Sequence, residues 1–334
     1  MNRAALLSLG LIRGRSRLHR SVVGFGAALT LALSLATGPA SAHASASADA
    51  NTEAPASPPA LATPSAEQAV PRKRSHRVIT LAPHATELVF AAGGGDSIVG
   101  TVTSSDFPEE ALAIPRIGDG IVLNQERIIL LKPTLFVGWL RSGIALQIEA
   151  LADRMGADMH YARPLKLRDI PADVRGVGQL LNTDATATAA AAAMDARIDA
   201  MEQRYADKRP VSVFIEVGHM PLYTIGEDPL LNDGLRICGA VNVYGTTGMP
   251  APRVPIESVL VHDPDLLVTA DERDPHGEQA QARWKGYGLR AALQGQLHAA
   301  DPDALFRPGP RFIDAIEQLC PAVDAVRQHE ARAG

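Results

Sequence analysis

From Arg77 onward, short apolar runs alternate with segments whose apolar residues recur at helical spacing, which predicts strands alternating with helices. The predicted strands of the first half cover 78–81, 98–102, 134–139 and 159–162, and the predicted helices cover 85–92, a segment that begins at 124, and 147–155. This alternation is typical of a parallel sheet with helices on both faces. Residues 77–181 are long enough to form one such α/β lobe.

A long segment with helical character, 182–209, follows this lobe. Asn182 and Thr183 are favourable N-cap residues, an alanine run comes next, and Pro210 ends the pattern. One apolar stripe runs along the segment at spacings of four, three and four residues, and it consists of Met194, Ile198, Met201 and Tyr205. The alternative is an alanine-rich linker of low complexity, but the stripe and the end signals favour a helical rod of roughly 38 Å.

The alternation of strands and helices starts again after this rod. Strands are predicted at 211–217 and 266–269, and helices at 229–238, 256–261 and 311–329. The predicted fold class is therefore α/β, with lobes at 77–181 and 210–334 joined by one long, stiff helix at 182–209. A ligand cleft is expected between the lobes.

The two lobes share a sequence repeat, formed by 126–137 and 257–268. Each segment begins with Glu, continues with two branched apolar residues, has Pro seven positions after the Glu, and has Leu and Val two and four positions after the Pro. Glu126 and Glu257 therefore occupy equivalent places. An acid in the first turn of a helix is favoured by the helix dipole, and the pairing also indicates two matched points for docking onto a basic, two-fold partner.

The first 42 residues have the pattern of an export signal. Five arginines precede an apolar run at 22–35, and Ala40-Ser41-Ala42 follows as a cleavage site, so the mature, exported chain is predicted to start at His43. A membrane anchor is the alternative, but the apolar run is short for a span. Removal of the arginines takes the net charge from −5 to −10, and such an acidic chain is a poor candidate for binding nucleic acid.

Residues 43–76 are rich in Ala, Ser, Pro and Thr and contain few large apolar residues, so they predict a disordered tether. The chain has only two cysteines, Cys238 and Cys320, both in the second half. In an exported protein a single pair is most simply a disulfide. A thiol catalyst or a metal pair is the alternative, although neither cysteine has a histidine beside it.

Motifs of catalysis are missing from the sequence. The ten histidines are scattered, and there is no H-x-x-x-H, no G-x-S-x-G elbow and no P-loop. His84 lies at a predicted strand-to-helix turn, where open α/β sheets bind ligands, and His219 follows the first strand of the second lobe. Either is a plain loop residue or a ligand of a metal or haem. An exported two-lobed chain without a catalytic constellation is interpreted as a binding protein.

Several motifs resemble the periplasmic cobalamin-binding proteins of ABC importers. The first half contributes Val78-Ile79-Thr80-Leu81-Ala82-Pro83-His84-Ala85-Thr86-Glu87-Leu88, Ser105-Asp106-Phe107-Pro108, Asn124-Gln125-Glu126-Arg127-Ile128 and Leu131-Lys132-Pro133. The second half contributes Pro221-Leu222-Tyr223-Thr224-Ile225-Gly226, Ile237-Cys238-Gly239-Ala240-Val241-Asn242-Val243 and Gly309-Pro310-Arg311. The resemblance covers nearly all of 77–323 and extends to the helical-backbone class that also carries haem and iron-siderophores.

The resemblance implies two Rossmann-like lobes bridged by one long rigid helix, with little hinge closure. It implies a disulfide between Cys238 and Cys320. It also implies that Glu126 and Glu257 pair with arginines of a permease dimer at the inner membrane.

For the ligand, the resemblance implies a corrinoid held by aromatic contacts. Trp139 and Tyr223 match aromatic positions of the family, whereas Ser104, Gly120 and Ala251 stand where the cobalamin binder has Tyr, Trp and Trp. Trp284 and Tyr287 could supply further aromatic contacts from the second lobe or could lie in the core or on the surface. The predicted ligand-binding residues are Pro83, His84, Ser104, Asp119, Gly120, Trp139, Tyr223 and Ala251.

The predicted function is capture of cobalamin and its delivery, by a monomer without a metal or cofactor of its own, to an ABC permease. A haem or iron-chelate binder of the same class is the first alternative. Haem would need an axial ligand, for which the candidates are His84, Tyr161, His219 and Tyr223. A secreted hydrolase or metalloenzyme is the second alternative, and it would require His84, Asp119 and Glu216 to meet in the cleft.

Overall fold

The computed structural model describes residues 75–141, 143–205 and 207–333, which fall within one compact unit at Glu67–Gly334. The predicted signal peptide and all but the last two residues of the predicted tether lie outside the described residues. His76, which belongs to that predicted tether, lies against the first lobe with its Nδ1 3.2 Å from the hydroxyl of Thr134. Among the described residues, no helix combines the length and the apolar character needed to cross a bilayer.

The first lobe is a four-stranded parallel sheet with strand order β2-β1-β3-β4. Its strands are β1 (Val78–Thr80), β2 (Ile98–Thr101), β3 (Leu135–Gly138) and β4 (Asp158–Tyr161), and its helices are α1 (Pro83–Ala91), α2 (Gln125–Leu131), α3 (Ile144–Met155) and α4 (Asp169–Leu181). The strands of the sheet centre are wholly buried, because helices cover both faces.

The linking helix α5 (Asp184–Tyr205) joins the cores of the two lobes. Ala187 and Ala191 pack into the core of the first lobe, and Ile198 packs into the core of the second. Met194 lies between them and contacts both cores. The predicted apolar stripe is thus the face that α5 buries, and its small alanines allow close approach of the first lobe.

The start of α5 differs from the prediction. Asn182 has a left-handed backbone, with φ of 62°, and ends α4 instead of capping α5. Asparagine tolerates this conformation better than most residues, so it serves equally well at the end of a helix as at the start. The preceding helix α4 runs beside α5 and also contributes to both cores, since Val177 packs in the first and Ile170 in the second. The connection is therefore a two-helix brace.

The second lobe repeats the parallel sheet in the order β7-β5-β8-β9, with the short antiparallel β6 beside the end of β5. The strands are β5 (Val211–His219), β6 (Leu222–Thr224), β7 (Ala240–Asn242), β8 (Leu266–Thr269) and β9 (Leu297–Ala299). The helices are α6 (Pro229–Ile237), α7 (Ile256–His262), α8 (Glu278–Tyr287), α9 (Arg290–Leu293), α10 (Pro302–Leu305) and α11 (Pro310–Ala333). The predicted fold class, two α/β lobes with a helical backbone, is confirmed.

The sequence repeat corresponds to a structural repeat. Helices α2 and α7 both end on a residue with a left-handed backbone, Lys132 with φ of 46° and Asp263 with φ of 40°. A proline follows each of them, and the next strand is the neighbour of the first strand of its lobe. The two segments therefore have the same geometry on the two lobes.

Cys238 and Cys320 form the predicted disulfide, with a Cα–Cα distance of 4.7 Å. Both cysteines are completely buried. The bond joins the end of α6 to the middle of α11, so it holds the closing helix against the core of the second lobe.

Candidate functional site

A cavity of about 740 Å³ lies between the two lobes. Trp139 follows β3 and Arg163 follows β4, and these residues form the wall on the first lobe. Val217 in β5 and Phe306 after α10 belong to the wall on the second lobe. Open parallel sheets bind ligands at the carboxyl ends of their strands, and this cavity lies at that edge of both sheets. Its volume is in the range of ligand-binding cavities.

A second cavity, of about 710 Å³, adjoins the first and shares Val217 and Phe306 with it. Part of its lining is formed by Tyr223, by His219 at the end of β5 and by Met220, which follows it. Together the two cavities extend along the carboxyl edge of the second sheet. The half-exposed rings of Trp139 and Tyr223 provide flat apolar surface to a ligand in them.

Pro83 and His84 lie at the start of α1, and the His84 ring packs against Trp139. The His84 ring meets the indole edge-to-face at a centroid distance of 5.3 Å, and the histidine is only 5% exposed. Gly309 allows this packing, because a Cβ at that position would come within 3.0 Å of the Cβ of His84. His84 thus supports Trp139 from behind.

Like Pro83 and His84, the other four predicted ligand-binding residues line neither of these two cavities. Ser104 and Asp119 are exposed on loops of the first lobe, and Gly120 follows Asp119. The carboxylate of Asp119 accepts hydrogen bonds from the backbone N–H groups of Ile121 and Val122, which lower its pKa. Ala251 is exposed beside Pro250, which does line the cleft. Their role as ligand contacts stays a prediction.

The cleft also contains charged residues that the sequence did not single out. Arg163 projects from the first lobe, and Glu227 and Asp228 come from the second, before α6. Arginine or glutamate in a loop is too common to signal a site by itself. These residues can be recognised as part of a site only in the folded protein, where loops from the two lobes line the same cavity.

A buried polar cluster joins the lobes beside the cleft. Glu87 of α1 is 3% exposed, and its carboxylate accepts a hydrogen bond of 2.7 Å from Arg311 of α11. Arg307 lies 3.9 Å from the same carboxylate and pairs with Asp106 at 2.5 Å. Burial raises the pKa of Glu87, and the two arginines oppose this effect. The hydrogen bond of Arg307 lowers the pKa of Asp106.

Buried hydroxyl groups hold the loops next to this cluster. Thr80 at the end of β1 is 2.7 Å from the hydroxyls of both Thr86 and Thr101, and Ser105 accepts from Thr101 at 2.7 Å. All four side chains are completely buried. The network therefore connects the ends of β1 and β2 to α1 and fixes one side of the site.

Burial, together with the positive charge of Arg307, lowers the pKa of His84 from 6.5 to about 3. Its Nε2 has no hydrogen-bond partner among the described residues. The imidazole is therefore neutral in the folded protein at every pH at which the protein is expected to work.

This burial predicts a loss of stability in mild acid. Below pH 6.5 the unfolded chain takes up a proton on His84 and the folded chain does not, so the free energy of unfolding falls as the pH falls. From pH 7.5 to pH 5 the contribution of His84 is about 2 kcal/mol. Urea titrations at both values should show this difference between the wild type and His84→Gln. The same change at the exposed His276 is the control, and an equal pH dependence in wild type and His84→Gln would refute the prediction.

Of the two aromatic residues before Leu289, Trp284 lies in the core and Tyr287 lies on the surface. Trp284 is 1% exposed and packs against Phe214, and its indole N–H donates to Glu216. Tyr287 packs on the outer side of Trp284 at a centroid distance of 5.6 Å. Neither ring lines the cleft described above. Of the alternatives that the sequence left open, the core position is observed for Trp284 and the surface position for Tyr287.

The side chains required by a hydrolase or metalloenzyme do not meet. Glu216 is buried in the second lobe under Arg283 and Trp284, whereas Asp119 is exposed on the first lobe. No group of three or more potential metal ligands occurs among the described residues. Tyr161, a haem-ligand candidate, donates its hydroxyl to Glu149 at 2.8 Å.

Glu126 and Glu257 are exposed in the first turns of α2 and α7. Asp263, at the other end of α7, pairs with Arg290. In contrast, neither glutamate has a salt-bridge partner within the described ranges. The two carboxylates are thus available to an external cation.

Comparisons with known proteins agree with this architecture. Residues 78–304 match the family described as Periplasmic binding protein. The vitamin B12-binding protein of Vibrio cholerae is 30% identical over 246 residues, which cover 74% of this chain and 88% of the relative. The vitamin B12-binding protein of Photorhabdus laumondii is 31% identical over 244 residues, which cover 73% and 86%.

Among solved structures, the periplasmic vitamin B12-binding protein BtuF of Vibrio cholerae superposes with a TM-score of 0.69 at 29% identity and covers 75% of this chain and 98% of its own. The periplasmic haem-binding protein HutB of the same species has a TM-score of 0.63 at 19% identity, with coverage of 74% and 98%, which shows a shared fold. Because the family match spans most of the two lobes and the fold agrees along them, this chain belongs to the periplasmic binding protein family.

Proposed function

We propose that this protein captures a corrinoid such as cobalamin in the periplasm and delivers it to an ABC permease of the inner membrane. The main observation that supports this function is the cleft between the two lobes, which has the Trp139 ring on its wall. The similarity to vitamin B12-binding proteins supports a corrinoid as the ligand. Export with cleavage after Ala42 is part of the proposal, as is action as a monomeric binder without enzyme activity.

The structure favours a largely preformed cleft. The brace of α4 and α5 and the buried Glu87–Arg311 pair connect the lobes at separate places. A hinge motion would have to break this pair inside a buried cluster. Recognition should therefore depend on the fit of the ligand to an existing shape.

Removal of the Trp139 ring should weaken cobalamin binding about tenfold or more, because a flat corrin loses an aromatic contact. Calorimetric titration of cyanocobalamin into the wild type and Trp139→Ala measures this effect. Tyr287→Ala removes an equally exposed ring outside the cleft and should leave the affinity unchanged. Haemin is titrated in parallel. Tight haemin binding with a shifted Soret band and no cobalamin binding would reject the corrinoid and favour the haem alternative.

Loss of both exposed glutamates, Glu126 and Glu257, should impair delivery without changing capture. Glu126→Ala with Glu257→Ala removes one carboxylate from each lobe, and neither residue lines the cleft, so cobalamin affinity should stay the same while the import rate falls at least roughly tenfold. Uptake of labelled cyanocobalamin by cells of the source organism is the measurement. Glu109→Ala with Glu278→Ala, which removes two other exposed acids, is the control. An unchanged import rate in the first double variant would refute docking through these positions.

A further inference from the structure

Each of the two helices that carry Glu126 and Glu257 also carries a large aliphatic side chain that is exposed to water. Leu130 of α2 is 79% exposed, and Val261 of α7 is 85% exposed. Each follows the glutamate of its helix by four residues. Residues at this spacing are neighbours on one helix face, with Cβ atoms about 5–6 Å apart. Both lobes therefore present an acid with an aliphatic group beside it.

A single exposed leucine or valine is ordinary on a protein surface. Leu130 and Val261 are not such isolated residues, because they occupy the same position in the two copies of the internal repeat. The residue two places before each of them, Ile128 or Val259, is completely buried, so the two helices are seated on their lobes in the same orientation. The same helix orientation therefore exposes Leu130 on the first lobe and Val261 on the second.

We propose that Leu130 and Val261 are the apolar half of two equivalent docking contacts, each completed by the neighbouring glutamate. This inference rests on the proposed function and adds the chemistry of the partner surface. The partner that fits is a permease built from two copies of one chain, each offering a cation beside an apolar hollow. Charge complementarity supports it, since both glutamates lack an internal cation among the described residues and the mature chain is predicted to be strongly acidic.

The aliphatic contribution can be measured apart from the charges. Spheroplasts of a source strain that lacks the chromosomal copy are supplied with increasing amounts of purified protein and labelled cyanocobalamin. For Leu130→Ser with Val261→Ser, the protein concentration that gives half-maximal import should rise roughly tenfold, because two aliphatic groups no longer leave water on docking. Leu293→Ser on α9, where the leucine is 60% exposed, is the control. An unchanged half-maximal concentration would overturn the inference.

Photo-cross-linking identifies the partner directly. A photoreactive phenylalanine analogue at position 130 or at position 261 should cross-link to the same multispanning membrane protein, identified by mass spectrometry. Cross-links to two different proteins, or to none, would count against equivalent contacts. Calorimetry with cyanocobalamin distinguishes failure of the proposed function from failure of the aliphatic docking contacts. If cobalamin does not bind the wild type, the proposed function fails, whereas normal binding with normal import by the double variant rejects only the aliphatic contacts.

Discussion

Replacement of both Cys238 and Cys320 by alanine is expected to lower the free energy of unfolding by about 4 kcal/mol. The disulfide closes a loop with a sequence separation of 82 residues, and restriction of so long a loop in the unfolded chain accounts for a loss of about this size in the chain-entropy model. Both cysteines are buried in the core that also receives the end of α5. Without the bond, the closing helix is held by noncovalent contacts, among them packing and the buried pair of Arg311 with Glu87.

Equilibrium urea unfolding followed by circular dichroism measures this loss. The wild type unfolded in the presence of a reducing agent is an independent control, because it removes the bond without removing the sulfur atoms. The two measurements should agree to within about 1 kcal/mol. A loss below about 1 kcal/mol in both would show that the bond does not restrict the unfolded chain as argued.

Arg311→Ala is expected to cost about 3–5 kcal/mol of the free energy of unfolding, since it leaves the buried Glu87 carboxylate without its hydrogen-bonded cation. The remaining cation, Arg307, is 3.9 Å away and already pairs with Asp106. The variant also loses the contact of the guanidinium with the Phe107 ring, 4.4 Å from its centroid. Because protonation of Glu87 relieves the unpaired charge, the cost should shrink as the pH is lowered.

A double variant that removes both charges separates the ion pair from packing. Glu87→Gln combined with Arg311→Met removes both charges and should be much less destabilising than Arg311→Ala alone. Arg197→Ala breaks the pairs with Asp314 and Glu317 on the surface and should cost less than about 1 kcal/mol. If Arg311→Ala were no worse than Arg197→Ala, the cross-lobe pair would not brace the lobes.

The parts of the fold with a clear sequence signal are the longer elements. The linking helix has an apolar stripe over several turns, and its observed ends, Asp184 and Tyr205, lie within four residues of the predicted ones. By contrast, β6, β7 and β9 contain three residues each, too few for an alternating pattern to appear. Helix α8 has only two completely buried residues, so it also lacks a stripe.

The site shows the same division. Trp139 directly follows a strongly apolar strand, and that position alone places it at the edge of a parallel sheet. Arg163 and Glu227 lie far apart in the sequence, in loops without a motif, and only the docking of two lobes brings both to one cavity. The Glu87–Arg311 pair has a sequence separation of 224 residues, and no local pattern can report such a contact.

The sequence by itself therefore determined two α/β lobes, the long helix between them and the equivalence of Glu126 and Glu257, because helical periodicity, repeat spacing and turn residues act over short distances along the chain. The tertiary structure decided which polar groups became buried partners, that α4 runs beside α5 as a second brace, and that the rings of Trp139 and Tyr223 face the cleft while Trp284 lies in the core. These outcomes depend on which surfaces exclude water when the lobes pack, and exclusion of water is a property of the folded chain as a whole.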